Sequence, residues 1–296
     1  MKKTIFRGMG TAMITPMTST GSVDFDTLAQ FIDFQLENGV DALVAVGTTG
    51  ESATLSPKEQ REVIGFTVRR VNGAVPVIGG AGTNDTSHVL EYTKAACAEG
   101  ADALLVVTPY YNKATQKGLI THFSAVADIA EVPVILYNVP GRTGCNLLPS
   151  TVSVLADHPN IAAIKEASGN MAQVVELLRL CGDRIDVYSG EDALTVAMMA
   201  MGAKGTISVL SNVVPKLASE MTDHALAGDY PAAAKLQLQL LPLIDALFSQ
   251  VNPIPAKAAV AAMGFGEEYL RLPLTPMEPE YRKVLLEEMR KLGVTV

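Results

Sequence analysis

The chain has 296 residues, 48% hydrophobic and 18% charged, the balance of a folded globular protein rather than a disordered one. Its net charge is −8 at pH 7 with Lys and Arg scattered, so no basic stripe offers a footprint for nucleic acid or an anionic membrane. Mean hydropathy is +0.25, yet no uninterrupted apolar run reaches the ~18 residues of a membrane span, which assigns the apolar surplus to a large core or to subunit contacts.

Met1-Lys2-Lys3-Thr4-Ile5-Phe6-Arg7 opens like a secretion signal. Arg7 and Gly8-Met9-Gly10 then break the apolar region and no small-residue cleavage site follows, so a cytoplasmic protein is expected. Further on, Glu37-Asn38-Gly39-Val40-Asp41-Ala42-Leu43-Val44 recurs as Glu99-Gly100-Ala101-Asp102-Ala103-Leu104-Leu105-Val106. In both, a helix closes on Gly and a buried strand follows. Val75-Pro76-Val77-Ile78 and Val132-Pro133-Val134-Ile135 form a second pair.

Eight strands are predicted, at 8–13, 41–46, 75–79, 103–107, 133–137, 161–165, 186–189 and 205–209. Helical patterns fill the gaps. Asp24 and Asp26 precede an apolar face of Leu28, Phe31, Ile32 and Leu36; Ser56-Pro57-Lys58-Glu59 combines an N-cap, an N1 proline and a capping-box Glu. Eight strand–helix units in about 225 residues predict a (β/α)8 TIM barrel; a doubly wound sheet would need fewer strands or a phosphate-binding Gly fingerprint. After Gly228-Asp229 the alternation stops, and helical patterns at 230–248, 255–263 and 279–292 follow. The predicted organisation is a barrel domain, 1–228, and a small C-terminal three-helix domain, 229–296.

Cys97, Cys145 and Cys181 lack CxxC spacing and the four histidines are isolated, so no disulfide framework or metal-ligand pattern is present. In a barrel of this kind, chemistry gathers where the strands end. There the chain places Gly47-Thr48-Thr49-Gly50-Glu51, Thr108-Pro109-Tyr110-Tyr111-Asn112, Tyr137 with Pro140-Gly141-Arg142-Thr143, Lys165, and Ser189-Gly190-Glu191-Asp192. A Lys ending a buried strand either snorkels to solvent or is a desolvated amine suited to form a Schiff base with a carbonyl compound. Tyr137 ends the neighbouring strand, where it could pass a proton to an adduct on Lys165. The Gly-Thr-Thr-Gly turn suits a small carboxylate, and Arg142 offers a bidentate fork for another. Glu166 alternates to the opposite face from Lys165 and is expected to satisfy local hydrogen bonds. Each reading has a bland rival, a turn, a core tyrosine or a solvated charge; their convergence on one rim favours chemistry.

These motifs, with Ile164-Lys165-Glu166-Ala167-Ser168-Gly169 and Asn252-Pro253-Ile254-Pro255, resemble in order and over nearly the whole chain those of the dihydrodipicolinate synthase family, pyruvate-dependent class I aldolases. The resemblance implies condensation of pyruvate with L-aspartate 4-semialdehyde through a Schiff base on Lys165, without a dissociable cofactor. It implies that Tyr137 transfers protons in a relay with Thr48 and Tyr111, the latter supplied by the neighbouring subunit of a tight dimer within a homotetramer. It further implies that Thr49 and Ile207 bind pyruvate, that Gly190 occupies the matching turn, and that Arg142 receives the second carboxylate. Two alternatives stay open: a lyase for a sugar-derived 2-keto acid, with neutral binders in place of Arg142, and a catalytically silent barrel that senses pyruvate-like acids.

Overall fold

Eight parallel strands each pair with the next and the last pairs with the first, closing a barrel: β1 (Gly8–Ala12), β2 (Ala42–Ala45), β3 (Val77–Gly80), β4 (Ala103–Val107), β5 (Val134–Asn138), β6 (Ile161–Glu166), β7 (Asp186–Ser189) and β8 (Gly205–Ser208). The computed structural model describes residues 2–296. Outside the barrel, α1 (Phe25–Glu37), α2 (Pro57–Val71), α3 (Thr86–Ala98) and α4 (Gln116–Ile129) follow the first four strands. A single turn, α5 (Pro140–Thr143), and α6 (Pro149–Leu155) follow β5, while α7 (Met171–Cys181), α8 (Thr195–Ala200) and α9 (Pro215–Leu226) follow β6 to β8. Beyond the barrel come α10 (Tyr230–Leu247), α11 (Ile254–Ala262) and α12 (Pro279–Lys291), with α10 packed on α8 and α9. The predicted (β/α)8 barrel with three further C-terminal helices is the fold. No helix is long and apolar enough to cross a membrane among the described residues.

Local chemistry sets the element ends. Asp24 accepts from Thr27 N to cap α1, and Ser56 and Glu59 form the reciprocal capping box of α2 with Pro57 at its first position. The third strand starts at Val77, two residues later than the pattern predicts, because Pro76 has no N–H to give the ladder. Its first N–H is instead taken by the Asp102 carboxylate at 2.8 Å.

Strand alternation divides the core in two. Ala12, Val44, Ile78, Leu105, Ile135 and Ile207 point inward and fill the barrel; Leu43, Leu104, Leu136 and Ile164 point outward against the helices. Phe6 closes the N-terminal end, its ring stacked on Tyr188 at 4.3 Å while the Tyr188 hydroxyl donates to Phe6 O at 2.8 Å. With that end plugged, the opening lies at the other.

The C-terminal segment is fastened to the loop after β2 by buried charge. Lys257 on α11 is 2% exposed, pairs with the Glu51 carboxylate and donates to Tyr269 O at 2.7 Å. Arg271 N donates to Glu51 at 3.1 Å, and the Arg271 guanidinium binds Gly21 O at 2.7 Å, Thr54 O at 2.8 Å and the Glu59 carboxylate. That carboxylate is held down at about 2, chiefly by the Arg271 hydrogen bonds. Removing one member of a buried pair strands its partner's charge, so Lys257→Ala should cost about 3–5 kcal/mol in chemical denaturation. A Lys257→Met, Glu51→Gln double variant should recover much of it. A loss below about 1 kcal/mol in the single variant would mean that Glu51 is rehydrated and the pair is not a fastening.

Candidate active site

The ends of β5 and β6 set the geometry. Tyr137 and Lys165 are register partners across these strands, both inward by alternation, with Lys165 Nζ 4.4 Å from the centre of the Tyr137 ring. On the outer face, Glu166 accepts from Asn138 Nδ2 at 3.0 Å and Ser168 N at 2.7 Å. The Asn138 side-chain Oδ1 accepts from Leu147 N at 2.9 Å. Glu166 therefore ties the two strand ends together behind the reactive pair, the local bonding its alternation predicted.

Lys165 is 5% exposed and does not snorkel. Burial lowers its pKa to about 8; the charges of Asp192 and Glu191 oppose that and Arg142 reinforces it. At pH 7 such an amine is neutral about one time in ten, against roughly one in three thousand for an ordinary lysine, and only the neutral form attacks a carbonyl. Tyr137 moves the other way. Burial raises its phenol to about 12, although Arg142 and the nearby Thr48 hydroxyl favour the phenolate, so it rests as a proton donor. Gly190 makes room for the amine: a Cβ there would stand 2.9 Å from both Lys165 Cγ and Cε.

The turn after β2 is strained where it enters the site. Val46 has φ of +59° and Glu51 +57°, and for a β-branched residue such as Val46 this region is costly. Between them Thr48 and Thr49 face the cavity. Asn252, ahead of α11, donates from Nδ2 to Thr49 Oγ1 at 2.9 Å, while its carbonyl accepts from Arg142 Nη1 at 3.4 Å. Because Thr49 accepts this bond, its own hydroxyl proton is free to be donated into the cavity. Asn252 Oδ1 is buried without a hydrogen-bond partner.

Thr48, Thr49, Tyr137, Arg142, Lys165 and Gly190 thus line one cavity of about 290 Å³. Ile207 does not line it and is packed in the barrel interior with Tyr137 and Tyr188. Tyr111 lies outside too: its side chain is 88% exposed and its φ is +72°. Asn252 and Glu191 also line the cavity, and neither has a role assigned from the sequence. Asn252 was visible only as part of an Asn-Pro-Ile-Pro motif, and Glu191 only as a residue of the turn after β7. Among the described residues no cluster of His, Cys, Asp and Glu could hold a metal ion.

A buried amine beside a phenol, at the C-terminal mouth of a (β/α)8 barrel, is the arrangement that a Schiff-base lyase of the class I aldolase type needs. The chain belongs to the dihydrodipicolinate synthetase family, which it matches over residues 5–292. A 4-hydroxy-tetrahydrodipicolinate synthase of Geobacter sulfurreducens is 49% identical over 287 residues, 97% of this chain and 99% of that one. A dihydrodipicolinate synthase of Acinetobacter baumannii, solved in complex with pyruvate, is 43% identical with a TM-score of 0.96, covering 98% of this chain and 100% of that one. The enzyme of Thermotoga maritima superposes with a TM-score of 0.96 at 41% identity, over 98% and 100% of the two chains.

Proposed function

We propose that Lys165 is the residue on which this chain condenses pyruvate with L-aspartate 4-semialdehyde to 4-hydroxy-tetrahydrodipicolinate, in lysine and diaminopimelate biosynthesis. The observation that carries the residue assignment is the buried Lys165 amine, its pKa lowered to about 8, set 4.4 Å from the Tyr137 ring. Membership of the family and the synthases of closely similar sequence support the reaction.

Lys165 attacks the pyruvate ketone, and water leaves to give an iminium whose nitrogen is the electron sink. Loss of a methyl proton then yields an enamine. Thr49 holds the keto acid through its free hydroxyl proton, Ile207 contributes only as packing in the barrel interior outside the cavity lining, and Gly190 leaves space for the adduct. The enamine carbon attacks the aldehyde, whose carboxylate is received by Arg142. Ring closure by the substrate amine expels Lys165. Tyr137, relayed through Thr48 and Tyr111, moves the protons; no dissociable cofactor takes part in this scheme.

The direct test is turnover of pyruvate with aspartate semialdehyde by the purified protein, compared with a neutral sugar aldehyde. Arg142→Ala should lower kcat/KM for the semialdehyde about tenfold to a hundredfold, the worth of a charged hydrogen bond, and leave the pyruvate adduct intact. Preference for the sugar aldehyde would sink the substrate assignment, and equal loss of both steps would make Arg142 structural.

The exposure of Tyr111 supports a shared site, in which this side chain enters the cavity of a second copy. The functional unit is then a tight dimer, paired into a homotetramer, in the cytoplasm. When inactive Lys165→Ala and Tyr111→Phe subunits are mixed under exchange conditions, some hybrid sites hold both wild-type residues and activity should return. A fully active monomer at assay concentration would refute sharing; one similar structure, 41% identical, is of a monomeric dihydrodipicolinate synthase variant, so the experiment is a real choice.

A further inference from the structure

The second substrate carries an ammonium as well as a carboxylate and an aldehyde, and the scheme above gives only the carboxylate a partner. Glu191 is the one acidic side chain lining the Lys165 cavity among the described residues. It is half-buried, in the turn after β7, and its backbone is fixed: Glu191 N donates to Ser189 Oγ at 3.2 Å and the Ser189 hydroxyl donates to Glu191 O at 2.8 Å. Its carboxylate has no hydrogen-bond or ion-pair partner among the described residues, although its charge is felt at Lys165, Arg142 and Tyr137.

The other acids around the mouth are committed. Asp192 is buried and accepts from Val209 N at 2.9 Å and Leu210 N at 3.0 Å. Glu51 is held by Lys257 and Arg271 N, and Glu166 by Asn138 and Ser168 on the outer face. Glu191 alone pairs a fixed backbone with an unengaged carboxylate inside the cavity. A half-buried carboxylate without a partner is costly, and burial together with Asp192 does raise its pKa. An incoming cation repays that cost.

We propose that Glu191 is a specificity-determining residue that binds the substrate ammonium, so that Arg142 and Glu191 hold the two charged groups of the amino-acid aldehyde from different sides of the cavity. The inference rests on the reading of Lys165 and the second substrate given above. Two-point binding fixes which face of the aldehyde meets the enamine and keeps the nitrogen near the carbon it must attack to close the ring. It also selects an α-amino acid aldehyde over an otherwise identical aldehyde acid.

Succinate semialdehyde, which keeps the aldehyde and carboxylate but lacks the amine, is the probe. In Glu191→Gln, the KM for aspartate semialdehyde should rise at least about tenfold. The inhibition constant of succinate semialdehyde against aspartate semialdehyde should stay within about twofold, and Glu191→Asp should recover part of the loss. Borohydride trapping of pyruvate on Lys165, run on the same preparations, separates the two levels. A normal adduct with equal losses for both aldehydes, or with no change for either, would overturn the role of Glu191 while leaving the Schiff base standing. Absence of the adduct from the wild-type protein would overturn both.

Discussion

Lys165→Ala is expected to abolish turnover and to leave the barrel folded. The covalent route needs an amine electron pair at this position, and no neighbouring side chain in the cavity replaces it: Arg142 carries a guanidinium rather than an amine, and the Tyr137 phenol is held near 12. The variant should not suffer structurally, because the amine is costly to keep. Its burial is the largest influence on its pKa, and removing it relieves that desolvation at the expense of a small cavity beside Gly190 and Ala167. Stability close to wild type with no detectable synthase activity is therefore the expected pair of results. Activity above the background of an unrelated protein would show that the condensation does not pass through Lys165.

Tyr137→Phe should lower kcat by about 10²–10⁴, the usual worth of a positioned acid or base. The ring packs in the barrel interior with Ile135, Ala163 and Ile207, and phenylalanine preserves that packing. Only the hydroxyl is lost, and with it the proposed proton path between the enamine, the aldehyde oxygen and Thr48. Denaturation should be almost unchanged. Formation of the pyruvate adduct should slow without vanishing, since the Lys165 amine does not depend on Tyr137 for its electron pair. A decrease below about fivefold would place proton transfer elsewhere, with water in the cavity as the alternative carrier.

The fold was largely legible because a parallel barrel writes its period into the chain. Each strand is buried on both faces and so reads as an apolar run, and each helix announces itself by caps such as Ser56-Pro57-Lys58-Glu59. Lys165 and Tyr137 were legible for the same reason: both end such runs, on strands adjacent in sequence and in space. Residues that act across the fold were not. Asn252 reaches Thr49 from the start of α11, and nothing near either residue marks the pairing. Lys257 sits in an alanine-rich helical pattern, and only the arrival of Glu51 from the loop after β2 explains its burial. Glu191 reads as an ordinary loop acid, because a missing partner is a tertiary fact. Tyr111 was given a role, but a single chain leaves it exposed, and the shared site proposed above would need another copy.

The proposed mechanism turns on a covalent bond between pyruvate and one particular amine. Borohydride added to the protein with pyruvate reduces the imine to a stable secondary amine, and the modified peptide can be located by mass spectrometry. One reduced pyruvyl group per chain is expected, on Lys165, accumulating faster as pH rises toward about 8 and the amine loses its proton. Modification of a different lysine, or none in protein that is active as a synthase, would contradict it.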